Sequence, residues 1–73
     1  MDDQQKNELI SQMDQNNKKL EQEREVLNQM ARDCINAGKK LSDEPMIFRQ
    51  ERIVDELVIN EEKLQQLFDE IEE

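Results

Sequence analysis

The chain has 73 residues, 40% charged and 34% hydrophobic, with ten basic against nineteen acidic side chains for a net charge of −9. That length admits one domain and no deep catalytic pocket, and the lack of His with a single Cys removes the commonest general base, internal disulfides and thiolate-rich zinc sites. The acidic balance and the two aromatics, Phe48 and Phe68, oppose nucleic-acid binding, which uses cations on phosphates and aromatic faces on bases.

The first helix is expected over about residues 4 to 37. Its frame is a seven-residue series, Met13, Leu20, Leu27 and Cys34, the spacing of a coiled-coil seam. The companion positions are Leu9 or Ile10, Asn16 or Asn17, Glu23 or Arg24, Met30 or Ala31, and Ala37. The seam is thus apolar at both ends and polar in its middle. Polar seam residues weaken such pairs but fix their register. Cys34 reads as a small buried hydrophobe, since no neighbouring base would activate it. The polar stretch 1–8 is expected to fray.

The punctuation falls in one place. Gly38 and Pro45, the only residues of their kinds, bracket the loop, which spans 38–43. A Gly just past a helix takes the left-handed conformation that closes it. Ser42 or Asp43 is expected to cap the next helix, with Pro45 in its first turn.

The second helix is expected over about 44 to 71, with the seam Ile47, Gln50, Val54, Leu57, Glu61, Leu64, Phe68 and Ile71. Acidic residues at 69–73 oppose the helix dipole and favour fraying there. Residues whose numbers sum to 81 are expected to pair, so that Leu20 lies by Glu61. The fold expectation is a single all-α domain over 1–73, an antiparallel two-helix hairpin.

Two helices bury one stripe each, which is little for a chain this short. The second helix also carries Met46, Phe48, Ile53, Val58, Ile59 and Leu67 off its seam. A second buried face is implied: a dimer giving a four-helix bundle, or a surface for another protein. Phe48, Glu51, Asp55, Val58 and Glu62 lie three, seven, ten and fourteen residues along, on one ridge, with Ile59 beside it. This ridge is the candidate partner-binding site. As a plain alternative it is a solvated face. No cofactor of its own and no metal site are expected. No stretch nears the roughly 20 apolar residues of a membrane span, and no apolar signal segment stands out, so the expected place is the cytoplasm without membrane contact.

The region from Leu20 to about Glu61 resembles the sporulation-type aspartyl-phosphate phosphatases, a family of short helical hairpins. Leu20, Arg24, Leu27, Met30 and Ala31 fit the family's first-helix spacing, and Val54-Asp55-Glu56-Leu57-Val58 fits the end of its Ser-Gln-Glu-Leu-Asp signature. The signature's Ser, Gln and Glu stand here as Glu51, Arg52 and Ile53. The resemblance implies docking on a phosphorylated response-regulator receiver, which supplies the Mg²⁺ and the phosphoryl group. It implies Asp55 as the residue orienting a water, with Glu51 in place of the lost hydroxyl. A thinner likeness, to the two-helix co-chaperones of type III secretion needle subunits, implies a hairpin that shields an apolar partner.

Overall fold

The computed structural model describes residues 3–72. Helix α1 spans Asp3–Asn36 and helix α2 spans Pro45–Glu72, with a 3₁₀ turn at Leu41–Asp43 between them. The helices lie antiparallel in an all-α hairpin measuring 56 × 15 × 13 Å. Helix α1 contains no Gly or Pro, and only Ile10, Val26 and Ile35 are β-branched, so little in its local chemistry resists a helix.

Gly38 ends α1. Its φ is +74°, its N–H donates to the Ile35 carbonyl, and the Lys39 N–H donates to the Cys34 carbonyl, both at 3.0 Å. This is the paired closure of a Schellman motif. Nothing lies within 4 Å of where a Gly38 Cβ would sit, so a side chain there meets conformational cost alone. Gly38→Ala is expected to lower stability by about 1 kcal/mol. Gly38→Asn should lose less, because Asn tolerates the left-handed region. Thermal melts of the two variants check the order; equal melting temperatures for wild type and Gly38→Ala would show that the turn is not fixed by this residue.

The second boundary differs from expectation. Ser42 and Asp43 sit inside the 3₁₀ turn, where the Asp43 and Glu44 N–H groups donate to Lys40 and Leu41 carbonyls. Glu44, not Ser42 or Asp43, immediately precedes the helix. Its backbone is extended, at φ −109° and ψ 101°, as a following proline requires.

The α2 seam is buried or half-buried at every expected position from Ile47 to Ile71. In α1 the structure selects one member of each pair. Leu9, Asn16, Glu23 and Met30 turn inward with Met13, Leu20, Leu27 and Cys34, while Ile10, Asn17 and Arg24 are exposed. Ala31 is half-buried, and Ala37 is exposed because the chain is already turning toward Gly38. Lys6 extends the seam to the open end. Its ammonium pairs with Glu72 and lies 5.6 Å from the centre of the Phe68 ring. The ends expected to fray are therefore helical and bridged over their described part; Met1, Asp2 and Glu73 lie outside the described residues.

Leu20 (2% exposed), Val54 and Leu57 form the central cluster of the core, with Leu27 and Val58 packed against it, and Leu9, Cys34 and Ile47 are buried further along the seam. Leu20 thus meets residues centred about one turn nearer the loop than Glu61, its expected partner. The cause lies in two polar contacts. The Asn16 amide donates to the Leu57 carbonyl at 3.0 Å. The buried Gln50 amide donates to the Glu23 carbonyl at 2.8 Å and to the Glu23 carboxylate. Both sets of partners are satisfied only in this register, because a buried amide without them loses hydrogen bonds to water and gains none.

Candidate functional site

The expected ridge belongs to α2, and its residues divide between two surroundings. Glu51, Asp55, Ile59 and Glu62 are exposed along the outside of the helix, and Phe48 is 53% exposed at its loop end. Val58 is different: it is half-buried against the hairpin's own core. The structure therefore takes Val58 out of the free surface and leaves Phe48 and Ile59 as its apolar members. Val58 leans inward because it follows Leu57 on the seam, where a β-branched side chain reaches the Leu20 cluster.

Phe48 shares a shallow depression with Arg49, Arg52, Ile53 and Glu56. Phe48 and Arg52 are four residues apart, as are Arg49 and Ile53, which aligns each pair on the helix surface. Glu62 lines a separate furrow with Glu61, Gln65, Gln66 and Asp69, floored in part by Val58. The ridge is thus an aromatic, arginine-bearing head followed by an acidic run. Asp55 and Glu51 stand between the two, and among the described residues neither makes an ion pair. Like charges four apart repel by a few tenths of a kcal/mol on a helix, so a cation supplied by a partner would relieve them.

Arg49 and Arg52 beside Phe48 were not singled out by the sequence pattern. The signal was present in the spacing of 48 with 52 and of 49 with 53. Of the apolar residues expected off the seam, Met46 (62% exposed), Ile53 and Leu67 lie on the other flank of α2, seven residues or a multiple apart. Val26 of α1 is also exposed.

The remaining features belong to the scaffold. Cys34 is buried, with its Sγ 3.6 Å from the Lys39 carbonyl oxygen at the loop. Among the described residues no group of three or more His, Cys, Asp or Glu is placed to hold a metal ion. No described helix is long and apolar enough to cross a membrane. Comparison with protein-family models, with curated proteins and with solved structures finds no match to this chain.

Proposed function

We propose that this chain is an acidic helical-hairpin interaction protein, a regulator or adapter that acts by protein–protein binding through the faces of its helices. One observation carries the reading. Met46, Phe48, Ile53, Ile59 and Leu67 are 40–62% exposed on α2, while among the described residues only six hydrophobic side chains are buried, three of them (Leu20, Val54 and Leu57) in one cluster. So much large apolar surface beside so small a core fits a chain whose stable form includes something more.

On the ridge, Phe48 and Ile59 supply apolar anchors, and Glu51, Asp55 and Glu62 supply negative charge. The matching partner presents Lys or Arg around an apolar recess. Affinity capture with wild-type bait and with Phe48→Ala bait tests this. The specific partner should be recovered with wild type and bind about tenfold or more weakly to Phe48→Ala, as for an aromatic anchor at the centre of an interface. Equal recovery with both baits would remove the ridge from the interface.

A second reading, the phosphatase-type regulator, is favoured by the exposed carboxylate of Asp55 on that ridge, which makes no ion pair among the described residues. A phosphorylated receiver would bring the metal and the phosphoryl group, and Asp55 would orient the attacking water. In that case Asp55→Asn slows receiver dephosphorylation about a hundredfold or more with helicity unchanged. Equal rates would take Asp55 out of any mechanism and leave the ridge as a docking surface.

A further inference from the structure

The flank of α2 away from the Asp55 ridge carries two rows of residues spaced seven apart, a spacing that runs straight along one face of a coiled-coil helix. One row is Met46, Ile53, Asn60 and Leu67; beside it runs Arg49, Glu56, Lys63 and Glu70. All eight are exposed. None of the four charged residues is in an ion pair among the described residues. Successive charges in the row are about 10 Å apart, beyond the screening length at physiological salt, so they barely feel one another.

We propose that this flank binds a second copy of the chain, antiparallel, with α2 against α2 in a four-helix bundle. The charge order selects the occupant. Read backwards, the row complements itself: Arg49 faces Glu70 of the second copy and Glu56 faces its Lys63. In that register Met46, Ile53 and Leu67 of the neighbouring row lie alongside the charge pairs and are covered with them. A copy laid in the same direction would set like charge on like. The adjoining surface of α1 offers Gln12 and Gln15, neutral amides that are cheaper to dehydrate than charges, with Lys19 beside them.

Two further quantities agree. Residues 30–53 hold five basic and four acidic side chains, a net of +1 in a chain of −9, so the remainder carries −10. Antiparallel packing sets the neutral loop half against the acidic open half, whereas parallel packing stacks the acidic halves. The chain exposes 5807 Å², against about 4,800 Å² for a compact monomer of its mass. The excess approximates the roughly 800 Å² that each partner gives to a standard interface. The ridge flank does not serve a second copy, because Asp55, Glu62 and Asp69 meet acid in either direction.

The inference rests on the helix-face reading above and names one occupant for one face: Arg49, Ile53 and Glu56, which share the depression with Phe48, pass to the second copy, and Phe48 with Glu51, Asp55, Ile59 and Glu62 is left to another protein. Sedimentation equilibrium of the full chain at high micromolar concentration tests it, with circular dichroism to confirm helicity. The wild type is expected to be dimeric. Lys63→Glu turns both symmetry-related contacts repulsive and should weaken the dimer about tenfold, more so at low salt. Adding Glu56→Lys to Lys63→Glu exchanges the charges and should restore affinity to within about threefold of wild type. A monomer at these concentrations overturns the inference. So does a dimer indifferent to Lys63→Glu, or one weakened by it and not restored by the exchange. In each of these cases the Phe48→Ala capture result still decides the broader reading by itself.

Discussion

Leu20→Ala should leave the hairpin barely folded. Leu20 is the least exposed side chain of the core, at 2%, and contacts Val54 and Leu57 from the opposite helix. Removing a buried leucine costs about 2–5 kcal/mol, the lost transfer energy plus the cavity left behind. A chain this short has only about 4–11 kcal/mol of net stability in all. With a core this thin, the site has few other side chains that can collapse into the gap. Urea unfolding followed by circular dichroism reads the loss. Ile35→Ala is the control, since Ile35 is 62% exposed on α1 and Ala is the better helix former. Equal midpoints for the two variants would show that Leu20 is not the centre of the core.

Gln50→Glu has the second large effect. The substitution keeps the shape of a side chain that is 6% exposed and replaces its amide donor with an acceptor. That donor serves the Glu23 carbonyl and carboxylate. At neutral pH the variant therefore sets a buried carboxylate against a carbonyl oxygen and a second carboxylate, for an expected loss of about 3 kcal/mol. The sign with pH follows. Burial and a like charge raise the folded pKa of the new carboxyl above its unfolded value. The variant is then nearest to wild type below the unfolded value, and loses stability as pH rises toward the folded one. Urea midpoints at about pH 7 and about pH 4 should show a smaller deficit at the lower pH, where the protonated carboxyl donates as the amide did. A deficit independent of pH would mean that this contact does not define the register.

The same contact explains what the sequence could and could not reveal. The α2 seam was legible because Ile47, Val54, Leu57, Leu64, Phe68 and Ile71 leave little choice of face. Helix α1 offered two near-equal faces, with Ile10 competing with Leu9 and Ala31 with Met30. Propensity does not separate neighbours of similar hydrophobicity. The decision lies in Asn16 and Glu23, which gain partners only once Leu57 and Gln50 of the other helix are in place. Pairing is non-local information, and the register moved by about one turn from the arithmetic expectation for that reason. The ridge on α2 was readable as a row of positions, but the inward lean of Val58 was not, because it depends on where Leu20 sits. Among so many charges in the sequence Arg49 and Arg52 do not stand apart; the depression that they share with Phe48 and Ile53 sets them apart.

The length of the hairpin bears on how its size would be measured. Its radius of gyration is 16.5 Å, whereas a compact domain of this many residues has about 11 Å. The observed value belongs to a globular protein of about 200 residues. One chain passing through a sizing column therefore elutes ahead of a compact protein of its mass. Elution volume calibrated on spheres would overstate its mass whether or not a second chain is present, and only a method that weighs the particle directly distinguishes shape from association.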